Sequence, residues 1–338
     1  MKIYEEDREI MAVFQAFCAL RPAADKAERV AALPYDVVSR EEARIIGEKN
    51  PDSFLHVDRA EMDLPADTDL YDSSVYEKAR ENLQNMEKKG ILVQDEKPCY
   101  YIYELTRKGK TQTGIVGCSS IDDYISGVVK KHELTREDKE QDRIRHVDVC
   151  DANTGPIFLA CRYTQTLLDL IAGWKENHAP VYDFTADDEI THRVWVIDSG
   201  SEIRTIREEF GGIPALYIAD GHHRAASAVK VGLKRRQEHP DYTGKEEFNY
   251  FLSVVFPYDE LTILAYNRVV KDLNGLEERA FVASLKFNFE LMLMPGFPCK
   301  PVEKHCIGMY VGGNWYHLKA WESRRPSGLR KTILLYNS

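Results

Sequence analysis

Residues 215–232 read ALYIADGHHRAASAVKVG, and this stretch decides how the fold is interpreted. An apolar, strand-like run ends at Asp220, and an Ala-rich run at helical spacing follows Arg224. Such a change of period is typical of a strand that leads directly into a helix. Together with the other strand-like runs of the chain, it predicts an α/β (α+β) fold, in which helices flank a mixed sheet.

Five polar residues lie between that strand and that helix: Asp220, Gly221, His222, His223 and Arg224. The first turn of a helix exposes unpaired N–H groups and the positive end of the helix dipole, which together favour a phosphate group. Gly221 tolerates a positive φ, and Arg224 can bind phosphate oxygens through two nitrogens. We therefore predict a phosphate-binding site here. The alternative is a helix capped by Asp220, with its histidines on the surface.

A second polar stretch, KKHELTREDKEQDRIRH, covers residues 130–146 and follows the strand-like YISGVV. Thr135 and Asp138 are predicted to cap the next helix. Glu133 would then lie between a strand and a helix, where a general base is often placed. On the helix, Lys139, Asp142, Arg143 and His146 recur at three- and four-residue spacing, so they are predicted to share one face. A face that only meets solvent explains this pattern equally well.

The rest of the chain divides into helical and strand-like patterns. Ser39 and Glu42 predict a capping box, and residues 73–89 have helical spacing. Period-two runs after Gly90 predict strands joined at RKGK (107–110). Further predicted elements are strands at 194–198, 249–257 and 261–270, a helix at 276–288 and a hairpin at Gly312-Gly313. We predict an N-terminal α/β lobe (1–96), a phosphate-binding core (97–275) with an inserted segment at about 150–200, and a C-terminal helix and hairpin (276–338).

Composition excludes several classes of protein. The 338 residues include 45 Lys+Arg and 55 Asp+Glu, for a net charge of -10, which disfavours a protein that coats nucleic acid or an anionic membrane. No apolar run approaches the ~20 residues that span a bilayer. The seven scattered cysteines, none spaced C-x-x-C, favour reduced thiols, and the acidic N-terminus is unlike a signal peptide. These features predict a cytoplasmic protein without a membrane partner. The oligomeric state is left open.

Several longer motifs, in the order in which they occur, resemble the bacterial and archaeal family known as domain of unknown function 1015. The motifs are RPAADKAERVAALPYDV (21–37), NPDSFLHV (50–57), GIVGCSSIDDY (114–124), residues 130–146, ANTGPIFL (152–159), IADGHHRAASA (218–228) and LTILAYNRVV (261–270). The resemblance covers roughly residues 10–270. The final RRPSGLRKTILLYNS departs from the family's pattern, which predicts a shortened C-terminal part.

The His-Glu pair after a strand and the later D-G-H-H-R also resemble the ParB/sulfiredoxin-like fold, and most closely its free serine kinases. This resemblance implies that Glu133 acts on the serine hydroxyl, with His132 as its neighbour. It implies that the D-G-H-H-R residues (220–224) hold the nucleotide phosphates and a metal ion.

These features lead to the hypothesis of a kinase that transfers the γ-phosphate of ATP to free L-serine and forms O-phospho-L-serine. Mg²⁺ would bridge the phosphates with Asp220 as its protein ligand, because this ion prefers oxygen ligands. Lys139 and Arg143 would bind the substrate. A ParB-like regulatory module that binds CTP or ATP is the main alternative. A metal-dependent hydrolase that uses His222, His223 and Asp220 is the third.

Overall fold

A computed structural model describes residues 11–133, 135, 137–262, 267–296 and 298–324. The chain separates into two compact units, with the boundary between Leu261 and Thr262. The division into three parts with boundaries near residues 96 and 275 stays a prediction. No helix among the described residues is long and apolar enough to cross a membrane.

One large mixed sheet dominates the first unit, and the period-two runs after Gly90 supply two of its neighbouring strands. The strands that precede residue 125 are β1 (Phe14–Gln15), β2 (Leu20–Pro22), β3 (Leu92–Gln94), β4 (Tyr100–Arg107) and β5 (Lys110–Ser120). The later strands of this unit are β6 (Val129–Lys130), β7 (Ile157–Cys161), β8 (Tyr182–Thr185), β9 (Thr191–Ile197), β10 (Leu216–Asp220) and β11 (Tyr250–Pro257). Among the described residues, nine strands join this sheet in the order β6-β10-β7-β11-β5-β4-β9-β8, with β1 also paired to β5.

Parallel pairing occurs where β6 meets β10 and where β7 meets β11, and the other described pairs of the sheet are antiparallel. Strands β2 and β3 form a separate two-stranded ladder. Parallel neighbours need long connections, which are usually helical. The chain between β6 and β10 and the chain between β7 and β11 each contain several helices.

Some helices of the first unit cover the apolar residues of the sheet, whereas the N-terminal helices bury their apolar residues in separate clusters. The bounds of the helices in this unit are α1 (Ala27–Val30), α2 (Arg40–Lys49), α3 (Leu55–Asp58), α4 (Ser73–Lys88), α5 (Ile121–Ser126), α6 (Glu137–Cys150), α7 (Gln165–Asn177), α8 (Gly200–Phe210) and α9 (His222–Glu238), with 3-10 helices at Ala60–Asp63 and Glu247–Asn249. The largest buried cluster joins sheet residues such as Tyr100, Ile115 and Leu159 to Ala225 and Val229 of α9. Burial of this apolar surface is the main contribution to the stability of the unit.

Most of the predicted elements are confirmed. The Ser39–Glu42 capping box begins α2, and the predicted helix at 73–89 is α4, whose apolar residues Val75, Ala79 and Leu83 are buried. The RKGK turn joins β4 to β5, because Arg107 pairs with Lys110 across it.

Three local predictions are wrong or untested. The strand-like YISGVV is mostly helix α5 and a turn, with only Val129 in a strand. Ser120 is the N-cap of this helix, and its side chain accepts a hydrogen bond from the backbone N–H of Asp122. Helix α9 begins at His222 and not after Arg224. Of the strand predicted at 261–270, residues 263–266 lie outside the described part of the chain, and residues 261–262 and 267–270 are not in a strand.

The second unit is a small antiparallel sheet with one described α-helix and one described 3-10 helix. It contains α10 (Glu278–Leu285), β12 (Phe289–Met294), β13 (Cys306–Val311), β14 (Asn314–Ala320) and a 3-10 helix at Glu322–Arg324. The strand order is β12-β14-β13, and the predicted hairpin at Gly312-Gly313 joins β13 to β14.

Candidate functional site

The two polar stretches predicted to carry the chemistry meet at one edge of the large sheet. Leu216 of β10 pairs in parallel with Val129 of β6, so both strands end on the same side. Strand β7 runs antiparallel to β10, and its Phe158 pairs with Asp220. The segment after β6, the segment after β10 and the segment before β7 therefore converge at this edge. In open α/β sheets, ligands bind at such an edge, beyond the carboxyl ends of the strands.

Gly221 is the N-cap of α9, and no side chain caps this helix. It has φ 90° and ψ 31°, in the left-handed region that favours glycine. The alternative in which Asp220 caps the helix is wrong. The first-turn amides of α9 thus lack the side-chain acceptor that commonly satisfies them, and they provide a position suited to an anion.

His222 lies at the start of α9 and is only 4% exposed. Its ring centroid is 4.3 Å from that of His132, with the two rings nearly perpendicular. Burial and the neighbouring His132 lower the pKa of His222 to about 4, so the imidazole is neutral at pH 7. Its Nε2 is buried without a hydrogen-bond partner among the described residues.

Glu133 lies beside this histidine. Its Oε2 is 3.6 Å from His222 Nδ1, and its side chain is 55% exposed. The sequence prediction paired these two stretches without knowing their distance, and the structure brings them together. An exposed carboxylate next to a helix N-terminus can accept a proton from a ligand bound there, provided that the ligand comes within hydrogen-bond distance.

Arg224 and Asp220 form an ion pair across one turn, with Nη2 2.7 Å from Oδ2. Arg224 Nη1 also donates to the carbonyl oxygen of Pro156 at 2.5 Å. The guanidinium thus joins the end of β10 to the segment before β7, next to Gly155. Arg224 therefore has a bracing role in addition to any contact with phosphate, and Asp220 remains largely exposed.

The predicted common face of α6 is only partly correct. Arg143 and His146 are buried, whereas Lys139 is exposed. Arg143 donates from Nε to Asp142 at 2.9 Å, and His146 Nε2 is 3.1 Å from the carbonyl oxygen of Val57. Burial lowers the pKa of His146, so this histidine is a neutral structural group. The structure does not place Lys139 and Arg143 in a common environment, because α6 packs this face against the N-terminal helices.

Sequence reasoning missed Tyr35, which covers Arg143. The guanidinium carbon of Arg143 is 4.1 Å from the centroid of the Tyr35 ring, a cation–π contact. Arg59 Nη1 donates to the Tyr35 carbonyl oxygen at 3.2 Å and holds this part of the chain. Burial raises the pKa of Tyr35, and Arg143 opposes that rise. Its place in the PYDV motif was the available signal, but the contact joins residues far apart in the chain.

Two further residues of the N-terminal region take part in polar pairs. Asp58 accepts a hydrogen bond of 2.7 Å from Thr154, within the segment before β7. His56 Nδ1 pairs with Asp63 at 2.9 Å, which raises the pKa of His56, while its buried Nε2 has no hydrogen-bond partner among the described residues. The N-terminal region therefore contacts the site at Tyr35 and Asp58 and not through His56.

A metal site built by the protein alone requires several ligating side chains close together. No group of three or more His, Cys, Asp or Glu residues within the described ranges is arranged to hold a metal ion. This arrangement gives no support to a hydrolase with an all-protein metal site. A Mg²⁺ ion held by one or two carboxylates and by substrate phosphates is a different case, and the exposed carboxylate of Asp220 suits it.

Comparisons with known proteins identify a family whose description assigns no function. No curated protein and no solved structure matches the chain. The family match extends to residue 334, so the resemblance reaches well past residue 270, where it was expected to stop. The family model described as "Protein of unknown function (DUF1015)" matches residues 14–334, and the chain belongs to that family.

Proposed function

We propose that this protein is a small-molecule kinase that transfers the γ-phosphoryl group of ATP to the hydroxyl group of free L-serine. The observation that carries the proposal is the 3.6 Å distance between Glu133 Oε2 and His222 Nδ1 in the first turn of α9. A candidate base and an anion-binding helix terminus lie side by side at one sheet edge. Phosphoryl transfer to an alcohol needs both, because catalysis depends mainly on positioning and charge stabilisation.

In the proposed reaction the serine hydroxyl oxygen attacks the γ-phosphorus and forms a new P–O bond. The bond between the γ-phosphorus and the bridging oxygen breaks, and ADP leaves with that electron pair. Glu133 accepts the hydroxyl proton. The amides at the start of α9 bind phosphate oxygens. His222 is neutral at pH 7, so it does not form an ion pair that would make Glu133 a weaker base.

Charge neutralisation would come from Arg224 and from Mg²⁺. Asp220 Oδ2 accepts from Arg224, and the exposed carboxylate is also open to a hydrated cation. When bound, Mg²⁺ supplies electrostatic stabilisation of the phosphate oxygens. Lys139 and Arg143 remain the proposed substrate contacts. Of these, Arg143 is buried and already paired with Asp142 through Nε and Nη2, so a substrate carboxylate would have to reach its remaining N–H groups or replace that pair.

The test is an assay of the purified protein with ATP, Mg²⁺ and L-serine, in which phosphoserine is detected by mass spectrometry. Glu133→Gln should lower kcat by roughly 10²- to 10⁴-fold, the usual contribution of a general base. Glu238→Gln, at the opposite end of α9, is the matched control and should retain full activity. Replacing ATP with ADP identifies the donor.

The same experiment separates the proposal from a nucleotide-binding module of the ParB type. In that case no phosphoserine forms with either donor, and wild type and Glu133→Gln bind ATP or CTP equally well. Absence of both product and nucleotide binding would reject the kinase and the module together.

A further inference from the structure

A second carboxylate near the site, that of Glu140 on α6, is not used by the proposed chemistry. It is 5% exposed, and its Oε2 accepts a hydrogen bond of 2.6 Å from Thr135 Oγ1. Lys230 of α9 forms an ion pair with its other oxygen. Burial alone would raise the pKa of Glu140, but the hydrogen bonds from Lys230 and Thr135 bring it below its usual value. The carboxylate is therefore ionised at neutral pH.

Glu140 joins three parts of the molecule. Thr135 is two positions after Glu133, Glu140 belongs to α6, and Lys230 belongs to α9. Ser227 adds a second link, because its Oγ is 2.7 Å from the His223 carbonyl oxygen and 3.2 Å from that of Glu140. The same two helices are thus connected through both the side chain and the backbone of Glu140.

We infer that Glu140 is a positioning residue that holds the segment carrying Glu133 against the first turn of α9 through Thr135. A buried charge is costly to retain unless it is paired and hydrogen-bonded, and here the pairing links the two halves of the candidate site. The kinetic consequence rests on the proposed function, whereas the structural part does not.

Thr135→Val separates positioning from electrostatics, because it removes the hydroxyl group and leaves the charge of Glu140 in place. Amide hydrogen exchange of the peptide covering residues 131–137 should become roughly fivefold faster, as expected for the loss of one hydrogen bond. Thr135→Ser keeps the hydroxyl and should exchange like wild type. Thr243→Val is the matched control, because it removes a similar 2.8 Å bond to Glu246 in the loop after α9.

The kinetic arm uses the phosphoserine assay. Thr135→Val should lower kcat by about tenfold or more, because a small misplacement of a reacting group lowers the rate of the chemical step strongly. The KM for ATP should change by less than about twofold. Glu140→Gln should also lower kcat without shifting the pH profile, because Glu140 is not the base. Thr135→Ser should restore kcat.

Each result decides a different statement. Unchanged exchange at 131–137 in folded Thr135→Val overturns the inference, whatever the activity. Faster exchange with unchanged kcat in an active enzyme also overturns it. If wild type makes no phosphoserine, the proposed function fails, and the exchange result alone decides whether Glu140 holds this segment.

Discussion

Two glutamates of the first unit show opposite ways to use a carboxylate. Glu104 of β4 is buried between two cations: Lys175 forms an ion pair with one oxygen, and Arg193 Nη1 lies 3.3 Å from the other. Glu133 is exposed, and its titratable neighbour His222 is neutral at pH 7, with Nδ1 3.6 Å from Glu133 Oε2. Occupied oxygens favour a structural role, whereas an oxygen left accessible can meet a ligand. The comparison teaches that the carboxylate of the candidate site differs from a structural one in two ways together: it is exposed, and among the described residues it is not held between cations.

The largest expected effect on stability tests this comparison directly. Glu104→Gln should lower the free energy of unfolding by about 3 kcal/mol, because Lys175 and Arg193 lose their counter-charge. Glu133→Gln should change it by less than about 0.5 kcal/mol, as is usual for an exposed group. Urea unfolding of both variants provides the measurement. Equal losses would show that the two carboxylates do not differ in the way proposed.

The pH dependence of stability sharpens the role of His222. Because burial lowers its pKa from 6.5 to about 4, the folded state disfavours the protonated ring. The contribution of neutral His222 to the free energy of unfolding is therefore fully present above pH 6.5 and is lost as the pH falls towards 4. His222→Gln should lose less stability than wild type between pH 7 and pH 4, by at most about 3 kcal/mol.

That difference is measured between the two proteins because other groups also titrate in this range. Asp123, for example, has a pKa raised to about 6 by burial and contributes with the opposite sign. Identical pH profiles of unfolding for wild type and His222→Gln would contradict a buried neutral histidine at this position.

The smallest expected effect concerns the aromatic cover of Arg143. Tyr35→Leu removes the ring and should lower the free energy of unfolding by about 1 kcal/mol, whereas Tyr35→Phe should retain it. Tyr258→Leu is the control, because the Tyr258 ring is exposed and lies 5.6 Å from the Arg162 guanidinium carbon. If Tyr35→Leu and Tyr258→Leu have the same effect in thermal unfolding, Tyr35 does not support Arg143.

Local signals in the sequence predicted much of the fold. The Ser39–Glu42 box, the helical spacing of 73–89 and the RKGK turn depend on neighbouring residues, and the structure confirms them. YISGVV was misassigned because β-branched residues suggested a strand, while the Ser120 cap and the left-handed Gly127 give a short helix. The start of α9 was misplaced because histidine and arginine do not reveal whether Gly221 ends the strand or begins the helix.

The candidate site was predictable only in part. The meeting of Glu133 with the start of α9 followed from two motifs that each stand at the end of a strand. The contact between Tyr35 and Arg143 could not be predicted, because it depends on how α6 packs against the N-terminal helices. The prediction that Lys139 and Arg143 share one face was wrong for the same reason, because helical spacing does not show which neighbouring element buries a residue.

The parallel pairing of β6 with β10 also has a consequence for biosynthesis. Leu216 must find Val129 across a long intervening stretch of chain, and β7 must take its place on the other side of β10. Closing so large a loop carries an entropic cost that short hairpins such as β4–β5 avoid. On the ribosome, the hairpin can therefore form early, while the candidate site cannot assemble until α9 has emerged from the exit tunnel.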